Sequence, residues 1–311
     1  MKKIVVLLLT VALILGICGA GVAEGEGGFV YGASLQTLNG AFHLALKEGI
    51  EAAVAEIDPE GTCIILGADK EPDLQVDQFE DLISKGCDII LVDPVDSGSI
   101  RTALMAAADA GIPVVNIDSG VDDKDLVVAS DSSDNYQAGQ IAAEHLVEAI
   151  GGKGNVAVLN HPSVEACKLR ADAFYDVIAD YPDITVVADL NFSGDTDTAQ
   201  NMIETTLMAY PDLAAVFCIA DCGAYGAVAA AKANGYNPGD IKITGVDGEQ
   251  VAADYVREGW MLGTSAQDAN KLGYMGIELA YAYLTGAEFE VENLIETIFV
   301  DAEVAETYVG F

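Results

Sequence analysis

The sequence predicts an α/β protein built as two doubly wound lobes. Short apolar runs recur along the chain, and most are continuous rather than alternating, as expected for parallel strands covered on both faces. The segments between them have apolar residues at helical spacing and good helix formers. About ten strands are predicted, which is too many for one modest sheet, so two sheets are expected.

The elements follow one another as repeated strand–helix units with short loops. In chain order the predicted strands are 29–34, 62–66, 88–92, 112–117, 126–130, 155–160, 184–190, 214–219, 241–246 and 261–266. The clearest predicted helices are 40–57, 75–85, 99–110 and 138–150.

The net charge of the chain argues against two classes of binding partner. Its 311 residues include 14 Lys and Arg against 50 Asp and Glu, a formal net charge of −36, which would repel nucleic acid and anionic membranes. Hydrophobic residues make up 51%, which is too many for a disordered, solvated chain. A folded protein with no nucleic-acid partner is therefore expected.

The N-terminus has the pattern of an export signal. Met1-Lys2-Lys3 precedes the apolar run 4–17, which is too short to span a bilayer, and small residues follow at 19–23. We predict a signal peptide over 1–23, cleaved after Ala23, and a Gly/Glu linker over 24–28. The protein would then be exported, periplasmic or associated with the cell surface.

The cysteines leave one alternative open at that terminus. Residues 15–18 (LGIC) resemble a bacterial lipoprotein box, although Ile17 fits that motif poorly, so lipidation of Cys18 competes with plain cleavage. Of the later cysteines there are five, an odd number, at positions 63, 87, 167, 218 and 222. Their spacing does not fit a zinc site, and free thiols are expected.

Catalytic and cofactor motifs are missing from the sequence. There is neither a Gly-x-Ser-x-Gly nucleophile elbow nor a phosphate-binding loop, and the three histidines form no recognisable arrangement with a nucleophile. Asp195 and Asp197 lack the other oxygen ligands of a calcium loop. We therefore expect no enzyme activity, no cofactor and no metal.

Polar residues instead follow the predicted parallel strands where these end. Each Asp could by itself be a helix cap, but the repetition on successive units favours a ligand site, because ligands of open α/β sheets bind at that edge. Ionised Asp accepts two adjacent hydroxyl donors, which suits a neutral polyhydroxyl ligand. The residues are Asp93, Asp118, Asp221, Asp247 and Gln267.

Several ordered motifs between residues 29 and 300 resemble the type I periplasmic sugar-binding proteins, the ribose- and galactose-binding group. They are 38–43 (LNGAFH), 46–49 (LKEG), 86–90 (GCDII), 93–97 (DPVDS), 111–115 (GIPVV), 170–174 (RADAF), 210–217 (YPDLAAVF) and 244–248 (TGVDG). The resemblance implies two Rossmann-like lobes that close on a ligand, joined by three crossing strands near 130–131, 267–268 and 296. The implied lobes are 29–130 plus 268–296 and 131–267 plus 297–311.

The resemblance also implies roles for single residues. Gln36, Phe42 and His43 would form the first-lobe wall, with Phe42 against the apolar face of a sugar ring unless it is ordinary core. Asp93 stands where ribose-binding members have Asn, so the pocket is expected to have an extra acceptor or charge.

The remaining implied contacts come from both lobes. Asp118 and Asp247 match ligand-binding aspartates, Arg170 matches an arginine that donates to hydroxyl and ring oxygens, and Gln267 lies at a hinge. Two positions depart from the family pattern. Gly40 and Ala220 replace asparagines, so the ligand is expected to be larger than ribose or differently hydroxylated.

The expected function is capture of a sugar or related polyhydroxyl ligand and its delivery, by a monomeric protein, to the membrane permease of an ABC importer. Two alternatives stay open. One is a sensory or chemotaxis co-receptor of the same fold, and the other is a binder of a non-sugar molecule such as a nucleoside or an autoinducer. A lactose-repressor-type regulator is disfavoured because it needs an N-terminal helix-turn-helix.

Overall fold

The computed structural model describes residues 27–311, so the predicted signal peptide 1–23, Cys18 and most of the predicted linker 24–28 lie outside the described residues. Two six-stranded sheets form the frame of two lobes. The first contains β1 (Val30–Leu35), β2 (Thr62–Gly67), β3 (Ile89–Val92), β4 (Val114–Ile117), β5 (Ala129–Ser133) and β11 (Glu292–Ile295). The second contains β6 (Gly154–Asn160), β7 (Ile184–Asn191), β8 (Leu213–Cys218), β9 (Lys242–Asp247), β10 (Gly263–Ala266) and β12 (Ile298–Val300).

The two sheets share one topology. Their strand orders are β11-β5-β4-β3-β1-β2 and β12-β10-β9-β8-β6-β7, and the strands pair in parallel except for β10 with β12. In each lobe the order reverses beside the first strand, β1 or β6, which is the switch point where doubly wound sheets bind ligands. The predicted fold class is confirmed.

The helices cover both faces of the sheets. They are α1 (Ala41–Ile57), α2 (Pro72–Ser84), α3 (Arg101–Ala110), α4 (Asn135–Ala149), α5 (Glu165–Ile178), α6 (Thr196–Ala209), α7 (Asp221–Ala233), α8 (Gln250–Arg257), α9 (Ala269–Thr285) and α10 (Ala302–Ala305). Aspartates cap four of them: Asp134, Asp195 and Asp268 accept hydrogen bonds from the N–H groups of Gln137, Thr198 and Lys271, and Asp301 accepts from those of Glu303 and Val304. Of the helices in residues 27–311, none is both long and apolar enough to cross a membrane.

The apolar runs form the core, as the sequence pattern predicts. All four residues of β3 are buried, and so are all four of β4. In the second lobe the rings of Phe174 and Phe217 stack with centroids 4.4 Å apart. Within the described part of the chain, the five cysteines named above are free thiols.

All ten predicted strands are present, with one displaced. The predicted strand 126–130 is wrong at its start, because residues Lys124–Leu126 form a 3₁₀ turn and pairing begins at Ala129. The strand then continues in the first sheet through Ser133, beyond the expected crossing at 130–131. Strands β11 and β12 were not predicted, because they have only four and three residues and are partly exposed.

The chain passes between the lobes three times. It leaves the first sheet after β5 and returns after β10, where α9 packs on α1 in the first lobe. It crosses again between β11 and β12. The carboxyl ends of β1, β3 and β4 in one lobe therefore face those of β6, β8, β9 and β10 in the other across a cleft.

Candidate functional site

A cleft of about 710 Å³ separates the lobes at the carboxyl ends of the strands. The predicted site residues that line it are Gln36, Phe42, His43, Asp118, Arg170, Asp247 and Gln267. Two predicted residues, Asp93 and Asp221, are fully buried behind its walls. Tertiary structure thus brings together seven of the nine residues, from segments more than 200 positions apart.

Asp93 supports the first-lobe wall from behind. It follows β3, and its carboxylate accepts a 2.9 Å hydrogen bond from Gln36 Nε2 and lies 3.4 Å from His43 Nε2. Burial by itself lowers the pKa of His43, but the hydrogen bond and charge of Asp93 outweigh it and raise that pKa above its ordinary value. The prediction that Asp93 adds an acceptor inside the pocket is wrong: Asp93 orients Gln36 and His43 instead.

Asp118 is the carboxylate that this wall exposes to the cleft. It follows β4 with φ at 61°, a left-handed conformation that Asp tolerates better than most residues. Within residues 27–311, its Oδ1 has no hydrogen-bond partner although it is buried. Burial, followed by the charge of Asp93, raises the pKa of Asp118 to about 8.

Phe42 packs in the hydrophobic core and also lines the cleft. It is 6% exposed, and its ring lies edge-on to those of His43 and Phe311, with centroids 5.4 and 5.7 Å away. Neighbouring Gly40 leaves space, since a Cβ there would meet only His43 Nδ1 at 3.5 Å. An aromatic face and an open space therefore lie side by side on this wall.

The second-lobe wall is a connected network around Arg170, which is 4% exposed. Its Nε donates to Asn135 Oδ1 at 2.9 Å, and its Nη1 donates to the Ile219 carbonyl at 2.9 Å and lies 3.4 Å from Asp247 Oδ1. Gln267 Nε2 donates to the same Asp247 oxygen at 2.7 Å. The guanidinium is thereby held in one orientation, with Nη2 left for a ligand oxygen.

Asp247 has an unusual backbone that aims it at Arg170. Its φ is 137°, which L-residues rarely adopt, and strain of this kind is typical of ligand sites. The next residue, Gly248, has φ at 81°, and a Cβ there would lie 2.4 Å from that of Ala266. Only glycine lets the chain turn this tightly against β10.

Asp221 is a structural residue, and its predicted ligand contact is wrong. Its Oδ2 accepts hydrogen bonds from the N–H groups of Gly248 and Glu249 at 2.9 and 3.0 Å, and its Oδ1 accepts one from Thr264 at 2.7 Å. A Cβ on Gly245 would lie 2.1 Å from Oδ1, so the absence of a side chain there makes room for the carboxylate. Asp221 ties the loop after β9 to β10 and points away from the cleft.

Sequence reasoning missed several residues that line the cleft: Lys70, His161, Cys167, Cys222, Tyr225 and Glu249. Tyr225 donates a 2.7 Å hydrogen bond to Glu249. His161 and Lys70 follow β6 and β2, so their strand-end positions were a usable signal. Tyr225 lies inside α7 and gave none.

The lobes touch each other at the mouth of the cleft. Lys70 Nζ donates to the Gly194 carbonyl at 2.6 Å. On the other side, Ser97 N donates to the Ser163 carbonyl at 3.1 Å, and Ser97 Oγ accepts from Glu165 N at 3.0 Å. The structure is therefore a closed form.

Two hinged lobes with a polar cleft between them define a solute-binding protein of the periplasmic type. The family model for the periplasmic binding protein domain matches residues 31–288, and the chain belongs to that family. The prediction of a binding protein rather than an enzyme is confirmed by this membership and by the similar proteins.

The similar proteins are named for sugars and polyols. The ribose import binding protein of Bacillus subtilis is 32% identical over 263 residues, which is 84% of each chain. An ABC transporter solute-binding protein from Agrobacterium vitis, bound to α-D-tagatopyranose, is 30% identical with a TM-score of 0.84, covering 88% of this chain and 95% of that one. Another, from Bacillus halodurans with bound myo-inositol, is 26% identical with a TM-score of 0.84, covering 91% and 98%.

Proposed function

We propose that this protein captures a sugar or related polyhydroxyl ligand between its lobes and delivers it to an ABC importer. The observation that supports this most directly is the facing pair of walls, with Arg170, Asp247 and Gln267 on one side and Asp118 on the other. Carboxylates that take hydroxyl donors and a guanidinium that donates to ring oxygens suit such a ligand. The ligands bound to two similar proteins, α-D-tagatopyranose and myo-inositol, support the same class.

The energetics are sufficient for capture without chemistry. Hydrogen bonds to charged groups contribute about 1.5–3 kcal/mol each. Several of them, less the costs of association and ordering, are enough for a dissociation constant of about 1 μM, near −8 kcal/mol. Phe42 adds apolar contact with a ring face.

The ligand would stabilise the closed form because it touches both walls at once. The contacts of Lys70 and Ser97 across the mouth belong to that form. The closed, monomeric protein would then dock on the membrane permease.

Export places the protein where such an importer takes up its solute. We propose cleavage of the signal peptide after Ala23, with lipidation at Cys18 as the alternative. The mass of the protein from the membrane fraction distinguishes them: a chain beginning at Glu24 excludes the lipoprotein form.

A thermal-shift screen against pentoses, hexoses, polyols, nucleosides and amino acids tests the function. A ligand at 100 times its dissociation constant adds about 2.7 kcal/mol to the free energy of unfolding. We expect a sugar or polyol to raise the melting temperature, and Asp247→Asn to abolish the shift.

Asp176→Asn is the matched control, since it removes a carboxylate that accepts from Tyr136 on the exposed surface. A shift with amino acids and none with sugars or polyols would contradict the proposal.

A further inference from the structure

Three largely buried carboxylates lie in or directly behind the inner part of the cleft, and only two of them have a basic partner. Arg170 lies 3.4 Å from Asp247, and His43 lies 3.4 Å from Asp93. Asp118 is the third carboxylate, and among the described residues no cation forms an ion pair with it. A buried carboxylate without a partner is costly, so its presence at a ligand site calls for an explanation.

The donors of the cleft are largely used, whereas two acceptors remain open. Gln36 donates to Asp93, Gln267 donates to Asp247, and Tyr225 donates to Glu249. Asp118 Oδ1 and Gln267 Oε1 accept no hydrogen bond within residues 27–311, although both side chains are only 5% exposed and line the cleft. These two acceptor oxygens are therefore available to hydrogen-bond donors of the ligand.

The groups around Asp118 show what kind of donor fits best. Burial is the largest cause of the raised pKa of Asp118; the charges of Asp93 and Asp247 raise that pKa further, while the charges of Arg170 and His43 lower it. Asp131 on β5 is a further buried carboxyl, and the charge of Asp118 raises the pKa of Asp131, although less than burial does. A hydroxyl would supply a donor but no charge, whereas an ammonium group would supply both.

We propose that the ligand is a polyhydroxyl compound with a protonated amine, and that its ammonium group binds Asp118. The hydroxyl groups contact Arg170 and Asp247, and Gln267 Oε1 accepts a further donor. The proposal rests on the proposed capture of a polyhydroxyl ligand and specifies the chemistry of that ligand.

Matched pairs of compounds test it by calorimetric titration of the purified protein at pH 7. The pairs are D-glucosamine with D-glucose, D-galactosamine with D-galactose, D-mannosamine with D-mannose, and D-glucamine with D-sorbitol. In at least one pair we expect the amine to bind about tenfold or more tightly than its hydroxyl counterpart, a difference of ~1.4 kcal/mol. If every amine binds as weakly as its counterpart or more weakly, the proposal is overturned.

The variant Asp118→Asn keeps the shape of the side chain and removes its charge. It should weaken binding of both compounds of a pair, but binding of the preferred amine about tenfold or more beyond the loss for its hydroxyl counterpart, so that the amine preference disappears. Asp176→Asn should change neither. An amine preference that survives in Asp118→Asn overturns the assignment to Asp118.

The paired titrations use the unaltered protein. They therefore test the proposal even if Asp118→Asn fails to fold. If neutral sugars bind more tightly than the amines, the proposed function is retained and only the proposal of an amine-containing ligand is overturned. Binding of neither class contradicts the proposed function itself.

Discussion

The two walls of the cleft use the same residue types in different ways. In the second lobe Asp247 is paired with Arg170 and Gln267, and Asp221 accepts three hydrogen bonds. In the first lobe, counting partners within residues 27–311, one oxygen of Asp118 and both oxygens of Asp131 have none. The carboxylates of the second wall therefore have their donors before a ligand arrives, whereas Asp118 in the first wall keeps an unused acceptor.

This difference shows that a buried carboxylate can have either a structural role or a ligand-binding role. A satisfied carboxylate holds other groups in position, and removing it leaves its donors without partners. An unsatisfied one lowers the stability of the ligand-free protein and becomes favourable only when a ligand supplies the donor. Substitutions in the two walls should consequently have effects of opposite sign on stability.

The largest expected effect follows from Arg170→Met. It removes three contacts and leaves Asp247 buried without its cation, and breaking a buried pair in this way costs about 3–5 kcal/mol. Urea unfolding should show this loss, and ligands should no longer raise the melting temperature. An unchanged unfolding midpoint would refute the view that Arg170 organises the wall.

Asp221→Ala should come next. It leaves the N–H group of Glu249 and the hydroxyl of Thr264 without their acceptor, and leaves the Gly248 N–H only its longer hydrogen bond to Thr264, at a cost of about 3 kcal/mol. Denaturant unfolding measures the loss. Asp221 would regain a direct ligand role if the variant were as stable as the unaltered protein and yet failed to bind.

The stability contributed by the first wall should depend on pH. The pKa of Asp118 is raised to about 8 in the folded protein, so folding retains its proton and stability falls as pH rises from the unfolded pKa, ~4, toward 8. The raised pKa of His43 acts in the same direction.

The variant Asp118→Asn isolates the contribution of that carboxyl. Without ligand, the variant should be clearly more stable than the unaltered protein at pH 8 and should differ little from it at pH 4. Thermal unfolding across this range measures the effect. A variant that is less stable at pH 8 would mean that Asp118 is satisfied in the ligand-free protein.

The smallest expected effect concerns the contact between the lobes. Lys70→Met removes the hydrogen bond to Gly194, which is exposed and contributes about 0.5 kcal/mol or less. Ligand affinity should fall about twofold while stability is unchanged. Calorimetric titration measures the affinity, and a loss of tenfold or more would show that Lys70 touches the ligand.

Much of the fold could be predicted from local pattern. Continuous apolar runs such as β3 indicate parallel strands, because only strands covered on both faces need no polar side. Strands β11 and β12 escaped prediction because partly exposed strands of three or four residues leave no such pattern. Their pairing depends on neighbours that are far away in the chain.

The site residues could likewise be predicted only in part from local pattern. Asp118, Asp221 and Asp247 all follow or end buried strands, and from sequence they look equivalent. The structure turns Asp118 and Asp247 into the cleft through positive φ angles, and turns Asp221 toward the loop after β9. Backbone direction at a strand end depends on packing from other elements, so composition and spacing could not separate the three.

The sequence by itself determined the two-lobed α/β class, the family and the positions where polar residues gather, since these depend on apolar periodicity and on ordered motifs. Only the tertiary structure decided which carboxylates meet a ligand and which support their neighbours. The physical reason is that a buried charge acquires its role from the donors within about 3 Å of it. For Asp221 and Asp247, those donors come from segments 20 or more residues away in the chain.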